Sequence, residues 1–130
     1  MLNHKRHCVF NIQAHIVFVV KYRKKILSKK IIEVIEDEVK EMSKKYSFYV
    51  LENGFGTDHI HLLVSYEPKI SVSQIVRVLK QETTNKVWLS CSDILSKEFW
   101  KHHVLWSSGY FVKSVGDCDG YTIRKYILNQ

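Results

Sequence analysis

Two short patterns in this 130-residue chain combine residue types and spacings that can do chemistry. The first is His59-Ile60-His61, inside the run Asp58-His59-Ile60-His61-Leu62-Leu63-Val64-Ser65. The run reads as a β-strand, where side chains alternate. The two imidazoles therefore share one face, while Ile60, Leu62 and Val64 take the other. Residues i and i+2 of a strand lie roughly 7 Å apart at Cα, close enough for both rings to converge on one metal ion, which needs a further ligand from elsewhere. The second pattern is Tyr126 and Gln130, at i and i+4 of a C-terminal helical stretch and so on one helix face. The amide can complete a metal site, and the phenol can attack an electrophile that the metal polarises.

Each pattern has a plainer reading. Two histidines in a strand are often polar residues on a wet sheet face. Tyr126 is also spaced like a packing aromatic beside Ile123 and Ile127, and on spacing alone packing is preferred. The flanks of the histidine pair favour the metal. Gly54-Phe55-Gly56-Thr57 is a flexible approach to it, and Asp58 can hydrogen-bond an imidazole or cap the turn. His102 and His103 are adjacent, face opposite ways on a strand, and read as surface residues. Cys8, Cys91 and Cys118 are odd in number and widely spaced, which points to free thiols in a reducing cytoplasm and not to a disulfide framework or a zinc ribbon.

The elements that must position these groups follow from periodicity. Met1 to His7 is polar and basic, a loose lead-in. Cys8 to Val20 alternates, with Cys8, Phe10, Ile12, Ala14, Ile16, Phe18 and Val20 on one side, and predicts a long strand with one buried face. Ser28 to Tyr46 is a helix with the stripe Ile31, Ile35, Val39, Met42 and Tyr46, Ser28 as N-cap, and the acidic residues Glu33, Glu36, Asp37, Glu38 and Glu41 largely toward solvent. Ser47 to Phe55 predicts a strand that forms a hairpin with the histidine strand. Ser71-Val72-Ser73-Gln74 is a capping box opening a second helix with the stripe Val72, Ile75, Val76, Leu79 and Val87. Ser90 to Lys101 has no clear pattern. Gly109 to Val115 alternates as a final strand ended by Gly116, and Gly120 to Gln130 closes the chain as a helix. The βαββαβ order predicts one α+β domain over residues 1–130: a ferredoxin-like or RRM-like antiparallel sheet with two helices on one face. The histidines then lie on the open face, where the extra C-terminal helix is free to lie.

Bulk properties narrow the partners. A formal charge of +7 favours a polyanion. No apolar run approaches the ~20 residues of a membrane span, and no signal-peptide pattern is present, so nucleic acid is preferred to membrane and the location expected is cytoplasmic. Lys21, Tyr22, Arg23 and Lys24 place cations around an aromatic, suited to a nucleic-acid backbone with a base on the ring, or simply a solvated charge run. Arg77, Lys80 and Lys86 give the second helix a basic, hydrogen-bonding face.

Four stretches, in order, resemble the single-tyrosine transposases of the insertion sequence 200/605 type, in the HUH (His-hydrophobic-His) nuclease superfamily. They are His15-Ile16-Val17-Phe18 with Lys21-Tyr22-Arg23; Asp58 to Leu63; Leu105-Trp106-Ser107 with Gly109 to Val112 and Val115-Gly116; and Tyr126 to Gln130. The resemblance implies that His59, His61 and Gln130 are metal ligands and Tyr126 the nucleophile. It implies a transposase that cleaves and rejoins single-stranded DNA bearing hairpins near the element ends, through a 5′-phosphotyrosine. It also implies a homodimer that exchanges tyrosine helices. Magnesium or manganese suits phosphate chemistry on such ligands, and no nucleotide cofactor is expected, since the link conserves phosphodiester energy and no Walker loop is present. Two departures stand out: the chain stops at Gln130, where many relatives continue, and Lys80-Gln81 stands where Lys-Gly is common. A domesticated nickase of repeated palindromes, or a non-catalytic RRM-like strand binder, are the alternatives.

Overall fold

The structure, a computed structural model, describes residues 3–5, 8–100, 102–116 and 120–129. Gln130 and Cys118 lie outside the described residues. The elements run β1 (Asn3–Lys5), β2 (Cys8–Phe10), β3 (Gln13–Val19), a single 3-10 turn (Lys21–Arg23), α1 (Lys29–Lys45), β4 (Phe48–Phe55), β5 (His59–Tyr66), α2 (Val72–Phe99), β6 (Phe111–Val115) and α3 (Gly120–Leu128).

Four strands form one antiparallel sheet in the order β4-β5-β3-β6, the arrangement expected of the βαββαβ pattern. Alternation decides which face is buried. Ala14, Ile16, Phe18 and Val20 pack with Ile60, Leu62 and Val64 into one core with the stripes of α1 and α2. α1 and α2 each start where a side chain caps them. Ser28 Oγ accepts from the Ile31 N–H, and Ser71 and Gln74 complete a reciprocal capping box.

Four details depart from expectation. The lead-in is structured: Asn3–Lys5 pairs with Cys8–Phe10 as a separate two-stranded ribbon, so the single long strand divides at Asn11 and Ile12. The unpatterned stretch after Ser90 is helical, because α2 continues to Phe99 across a kink at Cys91 (φ −134°, ψ 34°) and buries Cys91, Leu95 and Phe99. Glu38 is buried, not solvated, since it lies three residues after Ile35 on the apolar stripe. Its carboxylate has Lys86 Nζ at 4.0 Å as an ion-pair partner. Burial pushes the Glu38 carboxyl above its ordinary range, opposed by Lys86 and reinforced by Glu82 and Glu41.

The last departure is a β-bulge. Val50 pairs with Val64, but Glu52 pairs with Leu63, leaving Leu51 without an opposite partner. The extra residue shifts the phase of β4. Phe48 and Val50 face the core before it, Phe55 pairs with core-facing Ile60 after it, and Gly54 comes to stand opposite His61.

Candidate active site

The open face of the sheet is built in rows across the strands. Gly54, His61, Val17 and Phe111 form one row, and His59 pairs with Val19 in the next. A Cβ built on Gly54 would meet no atom within 4 Å, so the face is open beside His61. His59 and His61 do share a face, at the end of β5 nearest the β4–β5 turn.

That turn is clipped to the rest of the chain. The Gly56 N–H donates to the His59 carbonyl (2.9 Å), the Val20 N–H to the Asp58 carbonyl (2.8 Å) and the Leu27 N–H to the Thr57 carbonyl (3.0 Å). Gly56 has a direct bearing on the chemistry. A Cβ there would fall 2.3 Å from His59 Cε1 and 2.7 Å from Nδ1, so the imidazole occupies the space that any other residue would fill.

His59 Nδ1 lies 2.9 Å from Asp58 Oδ1. An ionised carboxylate only accepts, so Nδ1 carries the proton and, in the neutral ring, the lone pair is on Nε2. This hydrogen bond, helped by Arg23 Nε at 3.5 Å from Asp58 Oδ2, holds the Asp58 carboxyl below the usual carboxylate range. A metal-binding histidine is commonly oriented in this way, by a carboxylate on its other nitrogen.

The sequence reading missed His15. Its Nδ1 lies 2.8 Å from His61 Nε2, and the rings stack at 4.9 Å between centroids and 13° between planes. His15 is on the histidine face by alternation, but its meeting with His61 depends on the β3–β5 register, in which His15 opposes Leu63. One ring nitrogen of this pair donates and the other accepts. A ligand binding at His61 Nδ1 leaves that contact intact, whereas one at Nε2 displaces it. Among the described residues no cluster of three His, Cys, Asp or Glu could hold a metal. Two imidazoles, one with a fixed tautomer, are donors that a divalent ion on phosphate can use when further oxygen ligands complete its shell.

The second half of the site is carried by α3. Every residue of Arg124–Asn129 is exposed, Tyr126 at 44%, Ile127 at 61% and Leu128 at 83%. Gln130 lies outside the described residues. His103 stacks on Trp88 (5.1 Å) and His102 is exposed, in keeping with surface roles.

The basic candidates divide. Lys21, Tyr22, Arg23 and Lys24 form the 3-10 turn and its edge beside Asp58. Arg77 is exposed along a groove with Gln81 and Asn85. Lys80, expected to face DNA, is turned inward: its ammonium donates to the carbonyls of Ser107 (2.8 Å), Ser108 (3.2 Å) and Gly109 (2.7 Å), one acceptor for each proton. Burial depresses its pKa. Lys86 is directed to Glu38.

Comparison with known proteins bears on the family and the fold. The family described as "Transposase IS200 like" matches residues 8–130. The ISDra2 transposase TnpA of Deinococcus radiodurans is 25% identical over 96% of this chain and 88% of its own length. The transposase for insertion sequence element IS200 of Salmonella typhimurium is 28% identical over 95% of this chain and 80% of its own. The fold matches the crystal structure of a Deinococcus radiodurans protein assigned as a transposase, with a TM-score of 0.79, 22% identity and coverage of 98% and 97% of the two chains. It also matches a REP-associated tyrosine transposase bound to a REP hairpin, with a TM-score of 0.64, 12% identity and coverage of 95% of this chain and 68% of the other.

Proposed function

The chain belongs to the family of IS200-like transposases, and from that premise we propose that it cleaves and rejoins single-stranded DNA through a covalent link to Tyr126. The observation that carries this reading is the His59–His61 pair on an open sheet face, with Asp58 fixing the His59 tautomer. His59 and His61, joined by Gln130, would hold Mg²⁺ or Mn²⁺. When bound, such an ion polarises the scissile phosphate and neutralises its developing charge. The Tyr126 hydroxyl oxygen bonds phosphorus as the bond from phosphorus to the 3′ oxygen breaks. The phenolic proton is lost, and the departing 3′ oxygen gains one. The product is a 5′-phosphotyrosine and a free 3′-hydroxyl, and attack by a 3′-hydroxyl reverses the step without a nucleotide cofactor. DNA hairpins flanking an insertion sequence are the proposed substrates. The REP hairpin bound by the structural relative supports a hairpin ligand.

We infer a homodimer, a reading supported by what the single chain leaves exposed. Edge strand β6 presents Phe111 at 59% and Val112 at 42% exposure, and α3 presents Ile127 and Leu128. Exposed apolar edges are templates for pairing. A second copy covers them if the two chains join along β6 and exchange α3, placing Tyr126 of each over the histidines of the other. No described helix is long and apolar enough to cross a membrane.

Tyr126→Phe tests the reaction. It removes one oxygen from a ring 44% exposed and keeps the rest of the side chain. The variant should still bind hairpin single-stranded DNA but form no adduct on a denaturing gel with Mn²⁺, whereas Tyr110→Phe should form it as the parent does. An adduct on the Tyr126→Phe protein would transfer the nucleophile to another residue.

A further inference from the structure

We propose that the cleft between the Lys21–Arg23 turn and the C-terminal end of α2 is a stacking site for one unpaired nucleobase of the DNA strand. It rests on the reading that the chain handles single-stranded DNA, and adds a site of its own. The cleft has a volume of about 890 Å³, within the range of roughly 300–1,000 Å³ usual for small-ligand sites. Tyr22 and Trp100 line it from two different elements and are among the most exposed large rings of the chain, at 75% and 79%. Phe99 and Val104 add apolar wall.

The backbone holds those rings out at a cost. Tyr22 (φ 61°), Arg23 (φ 53°) and Trp100 (φ 57°) are all left-handed without being glycine. Bulky residues adopt that region rarely, and it is concentrated at ligand clamps and active sites. Of the four such residues among those described, Tyr22 and Trp100 line this cleft and Arg23 is the neighbour of Tyr22 in the turn. Burial does not explain them: both rings are largely exposed, and Lys21 Nζ stands 5.6 Å from the Tyr22 centroid.

The rim chemistry selects the ligand. Lys21 and Lys24 line the cleft; its one acid, Glu98, is already matched by Lys24 Nζ at 3.1 Å. Aromatic walls with a cationic rim suit a flat base that carries a phosphate. The location agrees. The turn is joined to the histidine strand through the Val20 N–H on the Asp58 carbonyl and Arg23 on the Asp58 carboxylate. A base held here therefore sits at the same end of the sheet as His59. The groove along Arg77, Gln81 and Asn85 has no exposed Tyr, Phe or Trp among its lining residues, its exposed ring being His103, already stacked on Trp88.

The test compares two probes of equal charge, a short oligodeoxythymidylate and an abasic deoxyribose-phosphate strand of the same length. Binding is measured without metal on the full-length Tyr126→Phe protein, so that no cleavage occurs. Trp100→Ala and Tyr22→Ala should each weaken thymidylate binding about 5- to 100-fold while abasic binding stays unchanged. Trp100→Phe and Tyr22→Phe should retain most of the affinity and hold the fold. Thymidylate should quench tryptophan fluorescence in the Tyr126→Phe protein, and much less once Trp100→Phe is added. Equal losses on both probes, no loss on either, or a change of oligomeric state in place of a binding loss would each overturn the assignment. Base-dependent binding by a parent that never forms an adduct would leave the cleft standing and remove the transposition chemistry.

Discussion

Gly56→Ala isolates the metal site from the stability of the fold. The new Cβ would stand 2.3 Å from His59 Cε1, so the imidazole edge must retreat by about 1.2 Å to reach ordinary carbon–carbon contact. The backbone does not resist the substitution, because no glycine among the described residues has a left-handed φ. Nor does the core, because the displaced group is a side chain 48% exposed. The change in folding stability should stay within ~1 kcal/mol, since an alanine that fits the backbone gains back part of what the ring loses. What suffers is the Asp58–His59 hydrogen bond and the placement of Nε2. Loss of such orienting contacts costs about 10–100-fold in metal affinity, or about 1.4–2.7 kcal/mol. Calorimetric titration with Mn²⁺ and thermal unfolding monitored by circular dichroism read the two effects separately. Nitrogen-15 spectra of the imidazoles should show the Nδ1–H form of His59 in the parent and its loss in the variant. Gly54→Ala is the matched control, because its Cβ meets nothing within 4 Å. Parent-like Mn²⁺ affinity in Gly56→Ala would refute the role given to this contact.

Other outcomes follow from the same structure. Mixing His61→Ala chains with Tyr126→Phe chains, each inactive alone, should restore adduct formation after subunit exchange, at one working site per mixed dimer; confirmed exchange without recovery would place both halves of the site in one chain. Lys80→Met strips three carbonyls of their donor and should cost about 1–3 kcal/mol in denaturant unfolding, leaving the salt dependence of DNA binding unchanged; a flattened salt dependence would show that Lys80 contacts phosphate after all. Glu38 has a raised folded pKa, so the folded state keeps its proton where the unfolded chain has lost it. Stability therefore falls as pH rises from 4.5 through the folded pKa. Glu38→Gln should gain about 1 kcal/mol at pH 7–8, the gain vanishing near pH 4; a gain independent of pH would remove the buried charge as its cause.

What could be read from the chain was the part governed by local period. The alternation of β3 and β5, the stripe of α1 with its Ser28 cap and the Ser71–Gln74 box needed no partner to be recognised. What escaped depends on contacts between distant residues, on a sparse stripe or on a charge in an apolar position. The His15–His61 contact needs a strand register. Lys80 looks like any other cation on a helix until the carbonyls of Ser107 to Gly109 are found beneath it. The continuation of α2 keeps the four-residue spacing Val87, Cys91, Leu95 and Phe99, a sparse stripe among polar residues that is hard to see without its partners. Glu38 occupies an apolar position with a charge, and charge weighed more than position in the reading. The outward rings of Tyr22 and Trp100 follow from backbone angles that no spacing announces.

The bulge at Leu51 gives two hydrogen-bonded neighbours opposite responses to loss of a residue. Leu51 has no partner across the ladder, so the strand carries one residue more than its pairing requires. Deleting Leu51 would restore regular pairing while keeping Gly54 opposite His61 and Phe55 toward the core. β5 has no such spare. Deleting Ile60 would bring His59 next to His61 and send the two imidazoles to opposite sides of the sheet. Lineages of this chain can therefore shorten β4 without changing its chemistry, whereas β5 has to keep its length.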